Sequence, residues 1–162
     1  MAIKSNMNIK DLIEIFINNS IFIKDYESTD KIINNVEHDY NKAKSVSSQI
    51  TKTVKLLVSS ESGLAEFIKL LDSKNLVVAS SAAEYLYPLY PQKCLKILKK
   101  YSNSLSKLDS YKVNCMIEGL VENKSFFTES FKKLYNCDDL DSLNREKKVC
   151  KKTNVDICKS GK

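Results

Sequence analysis

The chain has no tryptophan, one histidine, two prolines and three glycines among its 162 residues. β-Sandwiches and barrels need a turn about every 8–12 residues, most of them built on Gly, Pro, Asn or Asp. Asparagine is plentiful here, but neither Gly nor Pro falls in the first 60 positions, so long uninterrupted helices fit better. Long apolar runs are also missing. The richest stretch, Ile9 to Ile23, is broken by Lys10, Asp11, Glu14, Asn18, Asn19 and Ser20, well short of the ~18 apolar residues that span a bilayer. The N-terminus lacks the apolar run and small-residue cleavage site of a secretion signal, which makes a cytoplasmic location the expectation.

Arginine is nearly absent: Arg145 stands alone against 25 lysines. Base-edge readout and phosphate clamping favour the guanidinium fork, so a dedicated sequence reader would carry more of them. The net charge is +6, but residues 1–140 hold 19 basic and 17 acidic side chains, while 141–162 hold 7 and 3. Most of the excess sits in a short tail and not on the body. The five cysteines (Cys94, Cys115, Cys137, Cys150 and Cys158) are odd in number, and none is spaced as a zinc knuckle or redox pair. Cys94 and Cys115 fall at apolar-periodic positions and read as core; Cys150 and Cys158 lie in the charged tail and read either as idle thiols or as a redox or metal feature.

What is present is helical periodicity in a chain that is 43% hydrophobic, enough for one domain with a real core. Asn8 is placed to cap a first helix, with Asp11 in its first turn and Ile9, Leu12, Ile13, Phe16 and Ile17 on one face. Ser28, Thr29 or Asp30 caps a second helix of about 28 residues, striped with Ile32, Ile33, Val36, Tyr40, Ala43, Val46, Ile50, Val54 and Leu57. Three serines within 45–48 lower helix propensity and mark a place for a break. Ser62 is the expected cap of a short helix with Leu64, Phe67, Ile68 and Leu71 inward. After a polar loop, Val78, Ala82, Tyr85 and Leu86 mark the next helix. Pro88 ends it, and Pro91 opens another with Cys94, Ile97, Leu98 and Tyr101. That spacing matches Leu64, Phe67, Ile68 and Leu71, thirty positions earlier. Val113, Ile117, Leu120 and Val121 repeat Val78, Ala82, Tyr85 and Leu86 at an offset of thirty-five. Tandem helix pairs at this period predict stacked hairpins. A last helix with Phe127, Phe131 and Leu134 would close the stack.

The run Leu70-Leu71-Asp72-Ser73-Lys74-Asn75-Leu76-Val77-Val78, followed by Ala82-Ala83 and Leu86, resembles the HEAT-repeat signature. That signature ends one helix in Leu-Leu-Asp, crosses a short polar loop, and places a small-residue pair on the next helix. The resemblance spans roughly Asp11 to Leu120 and is similar to small bacterial HEAT-like domains of uncharacterised function. It implies an all-α fold: a right-handed superhelix of stacked antiparallel helix pairs, six or seven helices in all. The corresponding domain covers 1–137, with an N-terminal hairpin over 8–58, two helix-pair repeats over 62–122 and a capping helix over 125–136. Residues 138–162 are expected to form a basic, flexible tail. Ala79 stands where many HEAT repeats carry Arg, so the Asp–Arg ladder between repeats is not expected.

Catalytic chemistry finds few candidates. His38, the one histidine, is flanked by Glu37 and Asp39 and reads as a solvated side chain. Gly63, Gly119 and Gly161 are isolated, so no phosphate loop exists. Asp138, Asp139 and Asp141 lack the glycine and terminal glutamate of a calcium loop. Some bacterial HEAT-like proteins are DNA glycosylases, but they resemble this chain in architecture only, since they rely on Trp, Arg and a catalytic Asp. The expectation is no enzyme, no cofactor and no metal. For binding, Tyr87 and Tyr90 bracket Pro88, and Lys93, Lys96 and Lys100 form a polar face on the following helix. These five residues are the candidate partner surface of a non-catalytic protein–protein interaction module. One form of that reading is an immunity-type protein that blocks a toxin. The alternative is a nucleic-acid-associated protein using the lysine face and the tail.

Overall fold

The structure is a computed structural model in which residues 7–28 and 40–147 are described. Among the described residues there are seven α-helices: α1 (Ile9–Tyr26), α2 (Tyr40–Val58), α3 (Glu61–Lys69), α4 (Leu76–Leu86), α5 (Pro91–Asn103), α6 (Lys107–Val121) and α7 (Ser125–Tyr135). Two 3-10 turns, Leu70–Asp72 and Leu140–Leu143, complete the set, and no strand occurs among the described residues. The chain is all-α. The expected stripe positions Ile32, Ile33 and Val36, together with His38, Cys150 and Cys158, lie outside the described residues.

Caps and breakers act largely where local chemistry requires. Asn8 Oδ1 accepts from the Asp11 N–H at 2.8 Å and starts α1. Asn75 does the same for Val77 at 3.0 Å and starts α4. Pro91 opens α5 after the chain has turned at Pro88, where the N–H groups of Leu89 and Tyr90 both donate to the Leu86 carbonyl. Two local expectations are corrected. The cap of α3 is Ser60, not Ser62: its Oγ accepts from Gly63 N–H at 3.1 Å. A Cβ at Gly63 would stand 2.5 Å from the Leu57 carbonyl oxygen, so the tight α2–α3 corner requires glycine there. The serines at 45–48 do not interrupt α2, because Ala43, Ile50, Val54 and Leu57 bury against the rest of the fold and packing overrides propensity.

Helix α4 is the hub. Val78, Ala79, Ser80, Ser81, Ala82, Ala83 and Leu86 are all buried, which leaves it almost no solvent face. Its small side chains let neighbours approach closely: α1 lies against it on one side, and α5 packs along it more extensively. Helix α1 makes its largest contact with α2, and α5 packs onward to α6. Phe16 of α1 meets Phe67 of α3 edge-on, with ring centroids 4.9 Å apart. Helix α7 comes back onto α2, and the buried residues from Leu12 to Phe131 form one continuous core.

Helix α6 lies at the edge, which corrects two inward assignments. Cys115 is exposed and Val121 is 52% exposed, because the buried face runs through Ile117, Gly119 and Leu120. The body also extends past the expected boundary at 137. Arg145 N–H donates to the Leu89 carbonyl at 2.9 Å, and Asn144 is buried. Residues 138–147 therefore belong to the folded body, although the sequence grouped them with the tail.

Candidate functional site

The residues singled out in the sequence divide into two groups. Tyr87 is half-buried and stacks on Phe131 of α7, with centroids 6.5 Å apart and planes at 24°. Tyr90 sits at the start of α5, where its hydroxyl lies 3.5 Å from the Arg145 guanidinium. Lys93 pairs with Asp72 at 2.7 Å. These three side chains join helices to one another. Lys96 and Lys100 are exposed on α5, as is Lys99 between them. The five do not converge on a cavity.

A different part of the surface does converge. Glu84 and Tyr85, at the C-terminal end of α4, form the floor of a groove between α1 and α2 on one side and α6 and α7 on the other. Three clefts meet there. One of about 420 Å³ is bounded by Lys24, Glu27, Glu84, Tyr101, Asp109 and Lys112. A second, of about 320 Å³, is lined by Met116, Leu120, Phe126, Phe127 and Leu134 beside Tyr85. The third, about 190 Å³, is lined by the hydroxyl-bearing Ser20, Ser47, Thr51 and Ser81. Glu84 borders all three.

The electrostatics of the groove follow from one ion pair. Lys24 Nζ lies 2.6 Å from Glu84 Oε1, with the two side chains 17% and 26% exposed. Burial works against the ammonium, but attraction to Glu84 and the hydrogen bond outweigh it and hold Lys24 above its ordinary value of 10.5. Lys24 therefore stays charged and cannot act as a base near neutrality. It also lies 5.8 Å over the Tyr101 ring. At the mouth, Lys112 pairs with Asp109 at 3.1 Å and donates to the Glu27 main-chain carbonyl at 3.3 Å. Glu27 is exposed, yet partial loss of hydration at the cleft mouth, with repulsion from Glu84, pushes its carboxyl up from the usual range against the pull of Lys24 and Lys112. Burial and Glu84 push the Tyr85 phenol up to about 12. Ser20 Oγ, in the hydroxyl-lined cleft, is buried with no hydrogen-bond partner.

Apolar surface adjoins these charges. Phe126 is 74% exposed at the rim of the second cleft and meets Phe127 edge-on at 5.5 Å. Gly119 lets Phe127 approach α6, since a Cβ there would stand 2.6 Å from the ring. Among the described residues no group of three His, Cys, Asp or Glu could hold a metal ion. Asp139 instead accepts from the Asp141 N–H, and Asp141 pairs with Lys147.

Sequence reasoning missed the groove because its parts are 60 residues apart in the chain, as Lys24 and Glu84 show. One signal was available: Glu84 is the single charged residue in the otherwise apolar and small-residue helix α4. A lone acid in a buried helix requires a partner. No helix of the described residues is long and apolar enough to cross a membrane. Comparison with family models, with curated proteins and with solved structures finds no match for the chain.

Proposed function

We propose that the chain is a non-catalytic protein–protein interaction module of the HEAT-like helical-repeat kind, cytosolic and bacterial, that receives its partner in the groove over α4. The observation that carries this reading is the meeting of three clefts at Glu84 beside a phenylalanine left 74% exposed. Aromatic side chains next to a cleft are the usual energetic anchors of protein interfaces. The HEAT-like assignment is supported by the Leu70–Asp72 turn, the short polar loop and the buried Ala82–Ala83 pair that lets helices meet closely. The immunity-type form of the proposal adds that the partner is a toxin whose working surface is covered on binding.

Copurification of the tagged full chain from its source cells tests the groove. Wild type and the double substitution Lys96→Glu/Lys100→Glu should retain the same partner, and Phe126→Asp should lose it. Retention by Phe126→Asp with loss by the lysine variant would overturn the groove and favour the lysine face of α5. The exposed Lys96, Lys99 and Lys100 on α5 support nucleic-acid association as the second reading. Binding to generic duplex at low salt with a steep salt slope would support it, and absence of binding at low salt removes it.

A further inference from the structure

Helix α6 packs chiefly on α5, and its buried side runs through Ile117, Gly119 and Leu120. Lys107, Leu108, Tyr111, Cys115, Glu118 and Glu122 fall on another side at helical spacing, and all six are exposed. Leu108 and Tyr111 stand 51% and 66% open. With Cys115 they succeed one another by single turns, so they make a continuous apolar strip and not scattered side chains.

The charges around that strip run one way along the helix. Lys107 opens α6, Glu118 and Glu122 close it, and its last turn holds no basic residue. A lysine at the N-terminus and glutamates at the C-terminus both oppose the helix dipole. Asp109, the acid of the first turn, is engaged by Lys112. Lys107 and Glu118 make no ion pair among the described residues, and Glu122 meets Lys124 at 3.3 Å in open solvent, where such pairs contribute little. A second copy lying antiparallel answers each of these at once. It brings Glu122 of one copy to Lys107 of the other at both ends, sets opposed dipoles side by side and lays strip on strip. A parallel copy would instead set lysine on lysine and glutamate on glutamate.

We propose that α6 is a self-association surface on which two copies of this chain pair antiparallel about a twofold axis beside Cys115. Positions 107 and 122 lie equally far from the middle of the helix at 114–115, so their pairing places the axis there. One helix face is small against the ~1,600 Å² of a standard interface, so the dimer is weak and concentration-dependent. The surface is separate from the groove, which uses Val113 and Met116 on a different side of α6.

Sedimentation equilibrium of the reduced full-length chain tests this, with the mass rising from 18.4 kDa toward twice that value as concentration increases. Tyr111→Asp, at an exposed position, should raise the dissociation constant about tenfold or more and leave the circular dichroism spectrum unchanged. Lys107→Glu or Glu122→Lys alone should weaken association about two- to fivefold at low salt. Both together should restore it, because the exchanged charges still meet across an antiparallel pair. Mild oxidation of concentrated protein with diamide should yield a disulfide joining Cys115 of the two copies, read by peptide mapping, since that bond needs Cα atoms within about 7 Å. A monomer at every concentration would overturn the inference, as would a dimer indifferent to Tyr111→Asp. A dimer that is lost with Tyr111→Asp, yet shows neither rescue by the double exchange nor the Cys115 cross-link, would overturn the antiparallel pairing.

Discussion

Single side chains carry the most direct consequences. Burial, with Glu146 nearby, pushes the Cys94 thiol up to about 12, while Cys115 on α6 is exposed. Brief alkylation of the native chain should therefore modify Cys115 and spare Cys94 until denaturant is added. Peptide mapping by mass spectrometry reads both, and equal native labelling would contradict the core position of Cys94. Glu27 makes a pH-dependent prediction. Its carboxyl titrates higher in the folded state than the ordinary value of 4.5, so the native chain holds that proton more tightly than the unfolded chain does. Stability associated with Glu27 is present in acid below that value and is lost as pH rises through the raised one. Glu27→Gln should then raise the melting temperature at neutral pH and leave it unchanged in acid below 4.5. Thermal unfolding followed by circular dichroism at the two pH values checks the sign.

At the level of elements, two long-range contacts fix how helices meet. Lys24–Glu84 ties the end of α1 to α4. Removing one member leaves a largely enclosed charge without its counterpart, so Lys24→Met or Glu84→Gln alone should cost about 2–3 kcal/mol by chemical denaturation. Lys24→Met with Glu84→Leu should lie closer to wild type than either, because no charge is then stranded. Helix α5 has no side-chain cap of its own. Glu146 supplies one, accepting from Gln92 N–H at 2.9 Å and Lys93 N–H at 3.1 Å. A carboxylate on that terminus also meets the favourable end of the helix dipole. Glu146→Ala should lower stability by about 1 kcal/mol, and Glu146→Asp should recover only part of it because the shorter side chain does not span both donors. A neutral result in denaturant titration would show that water replaces the carboxylate at no loss.

For the molecule as a whole, burial ranks the helices. Helix α4 is enclosed by α1 and α5, whereas α6 leaves Leu108, Tyr111 and Cys115 open. Native-state hydrogen exchange should find its slowest amides in α4 and the facing side of α5, and its fastest helical amides near Lys107–Tyr111. The reverse order would displace α4 from the centre. The same contrast explains what was legible beforehand. All-helical architecture, the Asn8 cap, the Pro88–Pro91 corner and the core positions of Phe16, Phe67, Leu86, Cys94 and Leu98 follow from local periodicity and breaker chemistry. Cys115 and Val121 were misplaced because α6 carries apolar residues on more than one face, and only its neighbours decide which is buried. The groove was hidden for a related reason. It is built from the ends of α1 and α4 and the flanks of α6 and α7, which no sequence window contains together. Tyr87, Tyr90 and Lys93, conspicuous in sequence, serve the joints between helices.

Glu146 follows the first turn of α5 by 54 residues. During vectorial synthesis α5 leaves the ribosome long before its carboxylate partner has been made, and the α4–α5 corner waits without its fastener while α6 and α7 emerge. A nascent chain stalled short of Arg145 should expose this corner to protease, and one released beyond Lys147 should protect it.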